Sequence, residues 1–107
     1  VHINSFKDSK YKGITTYYYK KGGQTDKREK LAQDIQNSII KNGTWHDRGI
    51  AIGNFNVLRN TDMPSALVEC GFLTNSEDRK RLQDDDALNN IALDISNGIK
   101  NYLSEKT

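Results

Sequence analysis

Glu69 closes the short apolar run Ala66, Leu67, Val68 inside the segment Met63-Pro64-Ser65-Ala66-Leu67-Val68-Glu69-Cys70-Gly71-Phe72-Leu73. Residues 66–68 have the length and composition of a short, fully buried strand, which sets a carboxylate at a strand end. A carboxylate there is poorly solvated. An unpaired buried charge is costly, so Glu69 needs a cation, a metal-bound water or a proton as its partner. A carboxylate poised among those choices is what general acid/base chemistry uses. His2, at the other end of the chain, is the second candidate. Set between Val1 and Ile3, it is expected to point to the face opposite theirs. Taken alone, a strand histidine is more often a structural hydrogen-bonding residue than a ligand.

Other chemistry-bearing side chains carry weaker signals. His46, in Thr44-Trp45-His46-Asp47-Arg48, sits in a polar stretch and reads as a surface histidine. Cys70 follows the apolar run and reads as a small buried hydrophobe. As the single cysteine it excludes an internal disulfide and a multi-cysteine zinc site. Tyr17, Tyr18 and Tyr19 would alternate across a strand, filling core and covering an edge, with stacking on a carbohydrate as the functional option. Arg48 and Arg59 are both able to pair with acids or hold a buried carboxylate.

The chain that must position these groups has 107 residues, enough for one small domain. Sixteen basic and 14 acidic side chains are interspersed, for a net charge of +2, which is too near balance for a nucleic-acid surface. Lys7, Lys10, Lys12, Lys20 and Lys21 make the first fifth basic. That stretch is either a solvated edge or an attraction for an anionic polymer. No apolar stretch approaches the length needed to span a bilayer. Val1 falls inside an expected strand, so a fragment or a processed product is expected.

Periodicity supplies the elements. Residues 1–3 read as the end of a strand and residues 13–19, rich in β-branched and aromatic side chains, as a second. Thr25 or Asp26 can cap a helix whose stripe is Leu31, Ala32, Ile35 and Ile39, with Gly43 past its end. Residues 44–55 read as irregular, residues 56–59 as a short strand and residues 60–64 as a turn. After the Glu69 strand, residues 74–78 start a short helix with polar caps and acids in the first turn. Asp84, Asp85 and Asp86 cap the last helix, with Leu88, Ile91, Ala92, Ile95, Ile99 and Leu103 on one face. Strands alternating with amphipathic helices predict an α/β domain with a mostly parallel sheet flanked by helices. His2 and Glu69 are then expected near carboxyl ends of strands, where sites gather in such sheets.

The whole pattern goes further than its parts. His2-Ile3-Asn4, Gly13-Ile14 through Tyr17-Tyr18-Tyr19, Arg48-Gly49-Ile50, Val57-Leu58-Arg59, and the block from Met63 to Asn75 with Asp78 and Leu82 follow in order. In that order and spacing the chain resembles the zinc-dependent N-acetylmuramoyl-L-alanine amidases, amidase-3 type, of bacterial cell walls and phage lysins. The resemblance runs from His2 to Tyr102. It implies a hydrolase acting on peptidoglycan, at the amide between N-acetylmuramic acid and the L-alanine of the stem peptide. Such enzymes hold one zinc through two histidines and a glutamate, and a second glutamate acts on the zinc-bound water. By that resemblance His2, in its His-x-Asn setting, is a zinc ligand and Glu69 is the catalytic acid/base. Zinc with an open position brings its water to a pKa of roughly 7.

The family's other two ligands, a histidine in a Gly-His-Gly turn and a helix glutamate, have no counterpart here. Residues 1–107 are therefore expected to be the carboxyl-terminal part of a single amidase catalytic domain, incomplete at its N-terminal side and inactive alone. Self-association through the incomplete sheet is expected, as is a secreted, wall-associated or lysis-released protein. The rival is a non-catalytic peptidoglycan-binding or regulatory module on the same fold. A third reading is a plain scaffold in which Glu69 is salt-bridged to Arg59.

Overall fold

The computed structural model describes residues 1–20 and 25–105. Eight elements follow in the order β1 (His2–Asn4), β2 (Ile14–Tyr18), α1 (Thr25–Ile40), β3 (Asp47–Ile52), α2 (Asn56–Arg59), β4 (Leu67–Phe72), α3 (Ser76–Leu82) and α4 (Asp85–Glu105). The strands form one sheet in the order β1-β4-β2-β3. β1 runs parallel to β4 and β2 parallel to β3, while β2 and β4 meet antiparallel. The expected α/β class holds. The sheet is mixed, two parallel pairs joined back to back.

One face of this sheet makes the core. Ile14 pairs with Cys70 and Thr16 with Val68, so these side chains share a face. Against them lie Leu31, Ile35 and Ile39 of α1 and Ile91 and Tyr102 of α4, all buried. Leu31, Ala32, Ile35 and Ile39 are the stripe that the spacing predicts, and burying each large aliphatic among them contributes about 1.5–3 kcal/mol. α1 and α4 approach closely at Gly98, where a Cβ would stand 2.6 Å from Ile35 Cα. A polar tie crosses the same face: the Thr16 hydroxyl donates to Gln36 Oε1, and Gln36 Nε2 donates to the Ile14 carbonyl and to Asp47 Oδ1.

Several boundaries differ from the sequence reading. Residues 47–52, expected to be irregular, form β3. Gly49, Asp47 and Arg48 mask the strand pattern, and pairing with β2 overrides local preference. Residues 56–59, expected as a strand, form the single turn α2, in which Leu58 and Arg59 N–H groups both donate to the Phe55 carbonyl. Leu58 is its one fully buried side chain and Val57 faces outward. The consecutive apolar pair imitates a strand, yet one anchor is enough for a one-turn helix. Glu69 lies in the middle of β4 rather than at a strand end, because β4 continues to Phe72. His2 opens β1 instead of ending it.

The caps behave as their residues suggest. The Asn75 side chain accepts from the Asp78 N–H at the start of α3, and Asp84 accepts from the Asp86 N–H before α4. Gly43 takes a φ of 74° past α1. The cap expected at Thr25 or Asp26 lies outside the described side chains. The apolar face of α4 is only partly covered: Ile91 is buried, but Leu88, Ile99 and Leu103 remain exposed. Leu88, Ile91, Ala92 and Ile95 line a groove with Val1 and with Ile3 of β1, so much of the stripe faces open surface beside the sheet edge.

Candidate active site

β4 sits between β1 and β2, and Glu69 is paired on both sides. Its Cα partner is His2 on β1 and Thr15 on β2. Directly paired residues present their side chains to one face, so His2, Glu69 and Thr15 stand in a row across the sheet, opposite the helix-covered core. The alternation that buries Val68 and Cys70 thus turns Glu69 the other way. Thr15 is buried, Glu69 half-buried and His2 exposed.

The row has a definite electrostatic character. Glu69 Oε2 is buried and has no hydrogen-bond partner among the described protein atoms. Desolvation pushes the Glu69 carboxyl above the usual carboxylate range, and the positive charges of His2 and of the amino group at Val1 offset part of that rise. A carboxylate destabilised by lost hydration, with a free oxygen and an imidazole on the neighbouring strand, can accept a proton or face a cation. The next residue is different in kind. The Cys70 thiol is turned into the core, and burial pushes it up to about 11, which keeps it protonated and inert.

The other candidates fall away from this row. Arg59 donates to the Asn54 carbonyl and side chain, so the expected alternative of a Glu69–Arg59 ion pair is not formed. His46 is exposed, as its polar setting suggests, and its carbonyl accepts from the Ile14 N–H. Tyr17 packs edge-on against Phe55, with ring centroids 5.3 Å apart, and Tyr18 is buried on the core side. Tyr19 lies just beyond β2. No group of three or more His, Cys, Asp or Glu able to hold a metal occurs among the described residues. His2 and Glu69 are thus a pair and not a closed metal shell. The orphaned Oε2 suits a pair whose third partner is a cation or a polarised water.

Sequence reasoning placed Asp78 within the resemblance and among the first-turn acids of α3, and missed its task. Asp78 is fully buried, and its Oδ2 accepts the N–H groups of Gly13 and Phe72, tying the start of β2 to the end of β4. Its Oδ1 lies 3.6 Å from Arg81 Nη1. Gly71, with a φ of 84°, makes room: a Cβ there would stand 2.9 Å from the Trp45 ring and 3.2 Å from the Asp78 carboxyl. The signal was an acid at the third position of a capped helix, where the side chain can reach back over the N-terminus.

Gly71 also shifts the register. β1 advances two residues from His2 to Asn4 while β4 advances three from Glu69 to Phe72. The bulge returns Phe72 to the face of Glu69. Phe72 is covered there by Tyr11 and Arg48, whose guanidinium carbon lies 5.2 Å from the centroid of each ring.

Comparison with known proteins identifies the family. The family model described as N-acetylmuramoyl-L-alanine amidase matches residues 1–101. The chain is 33% identical over 104 residues to the protein named Probable cell wall amidase LytH of Staphylococcus epidermidis, covering 97% of this chain and 34% of that one. It is 35% identical over 109 residues to the endolysin of Bacillus phage SPP1, covering 99% and 40%. Its fold superposes on the N-acetylmuramoyl-L-alanine amidase of Clostridium difficile 630 with a TM-score of 0.89 at 35% identity, covering 98% of this chain and 56% of that one. The catalytic domain of CwlV from Bacillus (Paenibacillus) polymyxa gives 0.82 at 34% identity, covering 95% and 54%. The chain therefore spans about a third of these curated relatives and about half of these solved chains. With the match running through both His2 and Glu69, the chain belongs to the N-acetylmuramoyl-L-alanine amidase family.

Proposed function

We propose that the protein is a peptidoglycan hydrolase that cleaves the amide between N-acetylmuramic acid and the L-alanine of the stem peptide, with Glu69 as its general acid/base. The observation that carries this reading is the half-buried Glu69, its Oε2 without a partner, standing opposite His2 in a chain of this family. Desolvation raises the Glu69 proton affinity, which fits a carboxyl that first takes a proton from the attacking water and then gives it to the departing amine. In this reading His2 would hold a zinc ion through its imidazole, beside that carboxyl. When bound, zinc would polarise the scissile carbonyl and make water a better nucleophile.

In this reading residues 1–107 supply the carboxyl-terminal part of the catalytic domain, and the remaining ligands come from the part of the domain these relatives possess beyond it. One ligand binds zinc weakly, so residues 1–107 alone are inactive. The exposed Val1 and Ile3 beside the groove of α4 support self-association of the isolated chain through its β1 edge. The substrate places the protein outside the membrane, secreted, wall-associated or released at lysis. No helix among the described residues is long and apolar enough to cross a membrane.

A second reading, a non-catalytic peptidoglycan-binding or regulatory module, is favoured by the lack of a three-donor metal group among the described residues. Two variants of the complete catalytic domain separate the readings. Glu69→Gln should lower activity on purified cell walls by roughly 10²–10⁴-fold with zinc content unchanged. His2→Ala should lose zinc and activity together. Full activity and full zinc in Glu69→Gln would remove Glu69 from the mechanism. A zinc-free, inactive parent that still binds walls would establish the module.

A further inference from the structure

On the face that carries His2 and Glu69, the sheet holds a second feature that hydrolysis does not use. Phe72 lies three residues beyond Glu69 on β4, on the same side because of the bulge at Gly71, and only ~7 Å along the strand because those three residues oppose two on β1. Over Phe72 and Tyr11 sits the Arg48 guanidinium, 5.2 Å from both centroids. Contact with two ring faces holds the guanidinium over them, while the side chain stays exposed to solvent. Arg48 is exposed, and no described carboxylate pairs with it. The acids of adjoining segments are committed elsewhere. Asp47 accepts from Gln36 and from the Gly49 N–H, Glu77 from Lys12, Asp78 from two backbone N–H groups, and Asp8 from the Lys10 N–H.

The loop around Tyr11 is firmly held. Phe6 N–H donates to the Thr74 hydroxyl, Asn75 Nδ2 donates to the Ser9 carbonyl, and Phe6 packs edge-on to Tyr11 at 4.6 Å. Lys7 and Lys10 project from this loop into solvent, so the basic stretch of the sequence lies at the rim of the Arg48 platform. A fixed, unpaired guanidinium with lysines at its rim is a receptor for a carboxylate.

Resting on the amidase reading of Glu69, we infer that Arg48, held by Tyr11 and Phe72, binds a free carboxylate of the stem peptide next to the scissile amide. An extended peptide advances ~3.5 Å per residue, so the carboxylate of the second stem residue comes within reach of Arg48 when the amide is at Glu69. Arg48 is then a specificity residue that distinguishes a stem peptide with that carboxylate free from one in which it is amidated.

The test uses the complete protein and two soluble probes, a muramoyl dipeptide whose second residue has a free carboxylate and its carboxamide counterpart. Binding is measured by calorimetry on Glu69→Gln, whose slowed turnover leaves the probes intact during the titration, and kcat/KM on the parent. The acid should bind about tenfold or more tightly than the amide, the weight of one charge-assisted pair. Arg48→Ala should abolish that difference through KM, and Arg48→Lys should keep part of it. Equal binding of acid and amide by protein with Arg48 intact would overturn the inference without any variant. So would an Arg48→Ala variant that loses both probes equally. A parent that discriminates in binding yet cleaves neither probe would refute the amidase reading and uphold the carboxylate site.

Discussion

Glu69 and Asp78 are two carboxylates set at the same strand and treated in opposite ways. Asp78 is the more deeply buried, and the fold answers its charge: two backbone N–H groups donate to Oδ2, and the Arg81 guanidinium lies 3.6 Å from Oδ1, which accepts no hydrogen bond. Glu69 is the more exposed, yet its Oε2 has no donor, and lost hydration raises its carboxyl above the usual range. Burial alone therefore does not mark an acid as functional. The deeper acid is held on one oxygen by two backbone donors, has a guanidinium beside the other, and ties two strand ends together. The shallower one is left with an unmet demand, and that demand is what chemistry can use.

The contrast breaks most sharply under substitution. Glu69→Gln should cost activity by the orders of magnitude given above and leave the fold intact. Asp78→Ala should do the reverse. It strands two buried N–H groups and a neighbouring guanidinium, so stability should fall by about 2–4 kcal/mol, read as a lower denaturation midpoint. Any activity loss in Asp78→Ala should then track the unfolded fraction and be restored at lower temperature. If Asp78→Ala melts like the parent, the structural role assigned to it is wrong.

Gly71 joins the two carboxylates, and its replacement should be milder. Gly71→Ala places a side chain at a φ of 84°, with its Cβ 2.9 Å from the Trp45 ring. Strain and crowding together should cost roughly 1–3 kcal/mol. The same substitution disturbs the bulge that puts Phe72, one of the two rings under Arg48, on the face of Glu69. The acid-over-amide preference assigned to Arg48 should therefore weaken more than binding of the amide probe does. An unchanged preference would uncouple the platform from the bulge.

How far the sequence foretold this depends on where each signal resides. The stripes of α1 and the caps at Asn75 and Asp84 are local, and they were legible from spacing. Glu69 was legible as a poorly solvated acid, although its strand runs three residues beyond it, because Gly71 interrupts the pattern. β3 was not legible: it is an edge strand whose pairing with β2 comes from tertiary contact rather than from the residues Asp47, Arg48 and Gly49. α2 misled because Val57 and Leu58 are adjacent, and only the structure shows that one is buried and the other exposed. The row of His2, Glu69 and Thr15 depends on strand order, which no local pattern carries. Asp78 and the Arg48 platform depend on loops meeting across more than thirty residues of sequence.

The smallest effect tests the unmet demand of Glu69 directly. In metal-free protein the folded state holds the Glu69 proton more tightly than the unfolded chain does, because desolvation disfavours the charged form. Between the ordinary carboxylate range and the raised folded value, the folded state thus binds more protons, and stability falls as pH rises. Below that window Glu69 is protonated in both states and contributes nothing. Above it the cost is complete. Glu69→Gln removes the titration, so the variant should match the parent in acid and melt slightly higher above the window. Partial exposure of Glu69 keeps the gain to a fraction of the ~1.4 kcal/mol that one full pKa unit represents. Thermal melts of both proteins in chelator, from about pH 3 to about pH 8, measure it. Adding zinc to the complete domain should reverse the sign, since a cation beside Glu69 stabilises the charged form that glutamine cannot supply. A variant that is less stable than the parent in chelator at neutral pH would mean that Glu69, like Asp78, is held by partners within the fold.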